Sequence, residues 1–200
     1  MSDRTSRRLI NIASLLSVVA MIGLAIYWYR LGIFRSQATL NQYIDQRHVI
    51  GPVIFILIQI IQVVIPIIPG GISTGVGVIL FGPINGFIYN YVGIVIGSFI
   101  NFFLARRYGQ NFILHMIPQK IFDKYTNQKR FRSQKAFDLF FALAIFLPVA
   151  PDDVLVMIAG LTKMTWAKFS AIIIFLKPFT IAAYSFALIY GGQWLLNLIR

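Results

Sequence analysis

The sequence predicts an all-α membrane protein that crosses the bilayer several times, built as an inverted repeat with two re-entrant helical hairpins and about three full transmembrane helices. Three observations lead to this prediction. Hydrophobic residues make up 58% of the 200 residues, and charged residues only 12%. Several apolar runs are long enough to span the hydrocarbon core of a bilayer. Two other apolar stretches are each broken by a pair of prolines, and the two breaks lie 82 residues apart.

Residues 1–49 predict an N-terminal transmembrane anchor followed by a helix at the membrane interface. The apolar run 9–29 is long enough to span, and Arg4, Arg7 and Arg8 before it place the N-terminus in the cytoplasm. Its aromatic end favours a retained anchor over a cleaved signal peptide. Residues 36–48 are more polar and carry apolar side chains at helical spacing, which is typical of an interfacial helix.

Two further full spans are predicted, over residues 84–105 and 169–190. The loop between the first of these and the second half of the chain, residues 106–135, holds eight Lys or Arg and one Asp, and is expected on the cytoplasmic side. The Lys177-Pro178 step predicts a kink in the last span. Residues 191–200 are expected to form a short C-terminal interfacial tail.

The first broken stretch covers residues 59–86. Pro66 and Pro69 each remove a backbone donor, and Gly70 and Gly71 let the chain reverse at little steric cost. Unpaired backbone groups are unfavourable in lipid, so such a segment must be buried in protein or line a watery cavity. We therefore expect a re-entrant hairpin of two half-helices, a feature that often marks a transport site.

The second broken stretch repeats the first. With an offset of 82 residues, Pro66 aligns with Pro148 and Pro69 with Pro151, and several glycine and polar positions align as well. One span separates the two hairpins, so they are expected to enter the membrane from opposite faces. In such an inverted repeat the transport site lies between the repeats, near the midplane.

At these positions the sequence resembles the DedA superfamily, whose shared region is called the VTT or SNARE-associated Golgi protein domain. The residues that carry the resemblance are Gln59, Pro66, Pro69-Gly70, Phe81-Gly82, Gly86, Gly93, Gly97, Ala105-Arg106, Gly109, Pro148, Pro151, Gly160 and Phe169. The resemblance covers residues 50–190, which we take as one domain. It implies two facing re-entrant hairpins and movement of lipids between leaflets. The lipid is undecaprenyl phosphate or a phospholipid in bacterial relatives, and phospholipids are scrambled by eukaryotic ones.

The chain departs from the branch of that superfamily for which proton coupling is proposed. That branch has an acidic residue in the first hairpin, where this chain has only Gln59 and Gln62. It has Gly-Asp where Gly97-Ser98 stands and an arginine where Ile145 stands. Of its basic set only Arg106 matches. The chain therefore resembles a less characterised branch, and the departures argue against a proton-coupled carrier-lipid mechanism.

The residues expected along the transport path are polar or break the helix. Asp152 and Asp153 follow Pro151, so one can cap the following half-helix while the other binds a proton or a cation. Gln59 and Gln62 share a helical face and should point inward, either to bond the opposite hairpin or to line a headgroup path. Arg106 is either a topology anchor or a ligand for lipid phosphate. The full set is Gln59, Gln62, Pro66, Pro69, Gly70, Gly71, Arg106, Pro148, Pro151, Asp152, Asp153 and Lys177.

The function predicted first is a lipid flippase or scramblase of the cell membrane. A proton- or cation-coupled transporter of a small solute and a non-transporting assembly factor with a basic recruiting loop remain as alternatives. The sequence shows no nucleophile–base pair and no metal-ligand spacing, so we expect no enzyme activity, metal or cofactor. The formal charge of +12 lies mostly in short flanks and loops, which points away from nucleic acid. The expected partners are membrane lipids, including anionic phosphate headgroups, and another copy of the chain.

Overall fold

In a computed structural model of the protein, the described residues are 50–65, 70–126, 133–148 and 151–199, together with residue 23; side chains at 70–72 and 188–199 are not described. Six helices and no β-strand occur in the ranges from residue 50 onward. The helices are α1 (Ile50–Val64), α2 (Gly70–Met116), α3 (Gln119–Thr126), α4 (Gln134–Phe146), α5 (Asp152–Leu161) and α6 (Trp166–Ile199). The predicted span 9–29, the interfacial helix 36–48, and the hairpin prolines Pro66 and Pro69 lie outside the described residues, apart from residue 23.

The long helix α2 changes direction at two glycines. Gly82 has a φ of 79° and Gly109 a φ of 71°, a backbone region that favours glycine. Pro83 follows Gly82 and contributes no backbone N–H, so the first break coincides with a natural helix start. We refer to residues 70–81 as α2a, 83–108 as α2b and 110–116 as α2c. Segment α2b corresponds to the predicted span 84–105.

Among the described residues, two helical stretches are long and apolar enough to cross a membrane, Ser73–Met116 and Trp166–Ala187. The first contains the predicted span 84–105, and the second covers most of the predicted span 169–190. Helix α6 continues through Pro178 and on to Ile199. The predicted boundary at residue 191 therefore does not coincide with a helix end.

Helix α1 runs parallel to α2b and packs tightly against it. A Cβ atom added at Gly93 would lie 2.6 Å from Cβ of Gln59, and one added at Gly97 would lie 2.8 Å from Cβ of Val63. Because these pairs follow the same order in both helices, the two helices run in the same direction. Glycine at these two positions permits this close helix packing.

Segment α2a runs antiparallel to α2b, and therefore also to α1. A Cβ atom at Gly86 of α2b would lie only 2.4 Å from the carbonyl oxygen of Gly77, and Asn90 of α2b reaches the carbonyl of Thr74 at 2.9 Å. Later residues of α2b therefore contact earlier residues of α2a. Helices α1 and α2a form a hairpin that opens towards the start of α2b, which we call hairpin 1.

Helices α4 and α5 form a second pair, hairpin 2, that opens towards the other end of α2b. The Gln134 side chain at the start of α4 accepts a 3.1 Å hydrogen bond from the backbone N–H of Lys163, just after α5. At this same end, a Cβ atom at Gly160 would lie 2.7 Å from Cβ of Ala105, near the end of α2b. The first residue of α5, Asp152, lies instead beside Lys177 of α6.

The helix ends of the two hairpins follow the 82-residue offset found in the sequence. Helix α1 ends at Val64 and α4 ends at Phe146, while α2a begins at Gly70 and α5 begins at Asp152. The segments that join the paired helices, 65–69 and 147–151, therefore have the same length. Proline and glycine fix these ends locally, which explains why the sequence alone locates them.

The core of the described residues is centred on α5. Every residue of α5 from Asp153 to Gly160 is buried. Around it pack α2b, α3, α4 and the first half of α6, with Phe102 and Phe169 stacked at a centroid distance of 3.9 Å. Helix α5, which carries both candidate aspartates, is thus held in place on several sides.

Candidate functional site

Residues that flank the tips of the two hairpins line a small cavity beside α6. Its volume is about 20 Å³, room for about one water molecule. Hairpin 1 supplies part of the wall, hairpin 2 supplies two carboxylates, and α6 supplies a lysine and hydroxyl groups. The lining residues are Gln62, Val63, Ser73, Thr74, Ile94, Asp152, Asp153, Lys177, Thr180, Ile181 and Tyr184.

An ion pair crosses this cavity between hairpin 2 and α6. The ammonium of Lys177 donates to Oδ2 of Asp152, and the Lys177 side chain is only 3% exposed. Lysine is rarely buried without a partner, because removing its charge from water is unfavourable unless an opposite charge compensates. The pair therefore fixes the tip of hairpin 2 against α6.

The two aspartates at the start of α5 have different surroundings. Oδ1 of Asp152 accepts a 3.1 Å hydrogen bond from the backbone N–H of Asp153, so Asp152 serves both the ion pair and the first turn of the helix. Asp153 is 8% exposed and lines the cavity. No hydrogen bond from the described residues reaches its carboxylate. The two carboxylates thus differ in their contacts, although both line the cavity.

Helix α6 also binds the carbonyl groups that hairpin 2 leaves unpaired at its tip. The hydroxyl of Thr180 donates to the carbonyl of Ile145. The same hydroxyl oxygen lies 3.1 Å from the carbonyl oxygen of Phe146. The hydroxyl of Tyr184 donates to the carbonyl of Pro148 at 3.0 Å. The last carbonyls of a helix have no partner within it, so these side chains satisfy groups that would otherwise need water.

Hairpin 1 is held in a corresponding way by α2b. Asn90 is fully buried; its carbonyl oxygen accepts a 2.5 Å bond from Gln59, and its amide donates to the carbonyl of Thr74. Asn101 donates to the carbonyl of Val63 at 2.8 Å, in the last turn of α1. Asparagine side chains of the following span thus tie both helices of hairpin 1 to it.

The structure brings together four of the predicted site residues. Gln62, Asp152, Asp153 and Lys177 line the cavity. Gln59 points inward, as predicted, but bonds Asn90 of the span rather than the opposite hairpin. Four more positions lie near the tips: the backbones of Gly70 and Gly71 begin α2a, and Pro148 and Pro151 flank the tip of hairpin 2. Pro66 and Pro69 are outside the described residues.

Arg106 lies at the open end of hairpin 2, away from the cavity. Its guanidinium donates to the carbonyl of Gly160 at 3.2 Å through Nε, and to those of Thr162 and Met164 at 2.9 and 2.8 Å through Nη2. It also stacks over the ring of Phe102 at 4.4 Å. These contacts give Arg106 a structural role as the cap of α5, and a role in holding lipid phosphate stays a prediction.

Replacing Arg106 with methionine is expected to lower the free energy of unfolding by about 1–3 kcal/mol, because carbonyls at the end of α5 lose a charged donor. Thermal melting in detergent measures this. Arg107→Met is the matched control, since Arg107 is the exposed neighbour. Equal melting temperatures for the two variants would contradict the capping role.

Sequence reasoning missed several residues that build the site. Asn90, Thr180 and Tyr184 bond backbone groups of other elements, and Ser73 and Thr74 line the cavity. The available signal was that polar side chains are rare within apolar spans and, when present, face inward. That signal identifies candidates in the chain but does not pair them.

Comparison with known proteins identifies the family to which the chain belongs. The VTT domain family model matches residues 68–190. An uncharacterized membrane protein of Bacillus subtilis, YhjE, is 26% identical over 152 residues, which cover 76% of this chain and 67% of that protein. No solved structure matches the chain. The matched region contains α2, all of hairpin 2, and the residues from Ser73 onward that line the cavity. The chain is a membrane protein of the VTT domain family, the domain shared by the DedA superfamily.

Proposed function

We propose that this protein moves lipids between the two leaflets of the membrane, using two re-entrant hairpins that enter from opposite faces. The observation that carries the proposal is the cavity itself. Two carboxylates of hairpin 2 and a lysine of α6 meet there beside residues of hairpin 1, inside a bundle that is otherwise largely apolar. Ionisable groups at membrane depth are unfavourable and usually mark a pathway for a polar group.

The arrangement of the hairpins supports opposite points of entry. Hairpin 1 opens at the start of α2b and hairpin 2 opens at its end, so a span that crosses the bilayer would place the two openings on opposite sides. The equivalent carbonyls of Val63 and Ile145, 82 residues apart, both accept a side-chain bond from the span that follows their hairpin. This likeness is what an inverted repeat would produce.

The surface of the hairpins suits a path for lipids. Side chains on the outer faces of α1 and α4 are apolar and exposed, among them Leu57, Ile61, Leu139 and Leu143. Acyl chains can remain against such a surface while the headgroup crosses through the polar region between the tips.

Membership of the VTT family favours a lipid over a small solute. We place the protein in the cell membrane with its N-terminus and the basic loop 106–135 in the cytoplasm, and we expect no catalysis.

Reconstitution into liposomes tests the proposal. A fluorescent phospholipid in vesicles that contain the protein should become accessible to an impermeant quencher in both leaflets, faster than in empty vesicles. Pro148→Ala with Pro151→Ala should slow this exchange, because the tip of hairpin 2 is then free to continue as helix. Ala171→Val, on the exposed face of α6, is a control expected to keep it. Exchange no faster than in empty vesicles would overturn the proposal.

One observation favours a second candidate, a proton- or cation-coupled transporter of a small solute. The Asp153 carboxylate lines the cavity without a hydrogen bond from the described residues, and such a group can bind a proton or a cation. This candidate requires that solute flux respond to a pH or cation gradient and that Asp153→Asn abolish the response. Flux that ignores the gradient and the substitution would exclude it.

A further inference from the structure

The charged residues are distributed unevenly along the bundle. Residues 50–105, which include all of hairpin 1, contain no Asp, Glu, Lys or Arg. Apart from Asp152, Asp153 and Lys177 in the cavity, every charged residue in the described ranges lies between residues 106 and 168. This part of the chain forms the open end of hairpin 2 and the helices next to it, and its described residues comprise seven basic and two acidic side chains.

Most of this positive charge is exposed and is not neutralised by the described residues. Arg106 caps α5, and Lys168 pairs with Asp138. The second carboxylate, Asp123, accepts a 2.8 Å hydrogen bond from Gln119. The five other basic side chains, which we call the basic face, are exposed and form no ion pair with a described residue: Arg107, Lys120, Lys124, Lys135 and Lys163.

Contacts between helix ends bring three of these residues to the same end of the molecule. Arg106, the neighbour of Arg107, binds the carbonyl of the residue before Lys163 at 2.9 Å. Gln134, the neighbour of Lys135, accepts a 3.1 Å hydrogen bond from the backbone N–H of Lys163. The end of α2b, the start of α4 and the end of α5 therefore present their basic residues together.

Helix α3 adds the other two basic residues. It follows α2c, which continues from the end of α2b, and it packs against α5. Phe122 of α3 is buried in the core around α5. Lys120 and Lys124 are one turn apart on the opposite side of this helix, and both are exposed. Helix α3 therefore packs its apolar side on the protein and directs its positive charge outward.

Two aromatic side chains indicate that the basic face lies at the headgroup level of a bilayer. Tyr108, the last residue of α2b, is 63% exposed, and Trp166, the first residue of α6, is 41% exposed. Tyrosine and tryptophan are enriched at membrane–water interfaces. Basic residues beside them can reach lipid phosphates while the apolar stems of their side chains stay on the protein. This favours a lipid surface over a soluble acidic protein or a nucleic acid as the partner.

We propose that the basic face binds the anionic phospholipid headgroups of the adjoining leaflet and concentrates these lipids at the open end of hairpin 2. Each Lys or Arg close to an anionic membrane surface adds to the attraction, so that several together select anionic over zwitterionic lipids. This binding does not depend on lipid movement between leaflets. The open end of hairpin 1 has no charged residue in the described ranges and is expected to show no such preference.

Tryptophan quenching by brominated lipids measures this enrichment at the basic face. In the full chain with Trp28→Phe and Trp194→Phe, Trp166 is the remaining tryptophan. The protein is reconstituted in choline-phospholipid vesicles that contain a small fixed fraction of brominated phospholipid, with either an anionic glycerol headgroup or a zwitterionic choline headgroup. Quenching should show the anionic lipid about 5-fold enriched over the choline lipid, the ratio that one basic residue near an anionic surface supplies. Added salt should reduce this enrichment by screening exposed charges.

Replacing all five residues of the basic face with glutamine should bring quenching by the two lipids within about 1.5-fold of each other. The matched control keeps the charge: Arg107→Lys, with Lys→Arg at the other four positions, should retain the preference. Asp153→Asn should retain it as well, because Asp153 lies in the first turn of α5 whereas Lys163 follows the end of that helix. Melting in neutral detergent shows that each variant is folded.

Equal quenching by the two brominated lipids in the protein with its basic face intact would overturn the proposal and leave a soluble acidic partner for this surface. A preference for the anionic lipid that survives the glutamine substitutions would overturn it too. Leaflet exchange is measured separately in liposomes. Enrichment without exchange would remove the transport proposal and leave the lipid-binding face, whereas exchange without enrichment would do the reverse.

Discussion

Replacing Lys177 with methionine is expected to destabilise the protein by about 3–5 kcal/mol and to stop transport, because it leaves the Asp152 carboxylate buried without its partner. The side chains of Lys177 and Asp152 are 3% and 17% exposed, so little water can replace the lost contact. Asp153 lies in the same cavity, and the variant would leave two carboxylates there with no cation. The measurement is the unfolding free energy in detergent, followed by leaflet exchange in liposomes.

Two further variants separate the ion pair from the side chains themselves. Lys163→Met is the control for loss of a lysine, because Lys163 is exposed at the open end of hairpin 2, and it should leave stability within about 0.5 kcal/mol. Exchanging the charges with Asp152→Lys and Lys177→Asp should recover part of the stability that Lys177→Met loses. If the exchange variant is less stable than Asp152→Lys alone and Lys177→Asp alone, the contact does not act as an ion pair.

Replacing Asn90 with leucine is expected to cost about 2–4 kcal/mol, because two buried groups each lose a hydrogen bond at once. The Gln59 amide and the Thr74 carbonyl both bond the Asn90 side chain, and Asn90 is fully buried. These bonds join α1 and α2a to α2b, so we expect hairpin 1 to separate from the span when they are lost. Thermal melting gives the loss of stability, and limited proteolysis near residues 66–69 reports separation of the hairpin.

The double substitution Gln59→Leu with Asn90→Leu should cost less than Asn90→Leu alone. Replacing both partners of a buried bond with apolar side chains avoids an unpaired amide, although the Thr74 carbonyl still loses the hydrogen bond from Asn90. Asn111→Leu, at an exposed position of α2c, is the matched control and should change stability little. The hydrogen-bonded network would be contradicted if the double variant lost as much stability as Gln59→Leu and Asn90→Leu lose together.

The parts of the fold that could be predicted from sequence are those that single residues determine. Proline lacks a backbone donor and glycine tolerates a positive φ, so both mark helix ends without reference to the rest of the molecule. The end of α4 before Pro148 and the break at Gly82 are examples. The close packing at Gly93 and Gly97 depends on glycines at helical spacing, a pattern that is visible in one helix alone.

The parts that could not be predicted depend on which elements face each other. Asp152 and Lys177 were each candidates, but their pairing depends on how α6 packs against the tip of hairpin 2. Asn90 and Thr180 satisfy backbone groups 16 and 35 residues away, and no local pattern identifies such partners. Arg106 matched a family position, yet its donors bind carbonyls at the end of α5, which only the tertiary structure places within reach.

The central claim is that the two hairpins enter the membrane from opposite faces and end at a common cavity. Single cysteines can test it, because the natural chain contains none. Ile84→Cys marks the open end of hairpin 1 and Lys163→Cys that of hairpin 2; both positions are exposed. Cysteines are then placed one at a time over residues 63–74 and 146–157, and impermeant maleimide is applied from either side of sealed vesicles.

The account predicts that the Ile84→Cys and Lys163→Cys markers are labelled from opposite sides. Each tip should be labelled, if at all, only from the side of its own marker: residues 63–74 with Ile84→Cys and residues 146–157 with Lys163→Cys. Labelling of residues 63–74 from the side of Lys163→Cys would mean that α1 and α2a cross the membrane completely, and it would contradict the opposed hairpins.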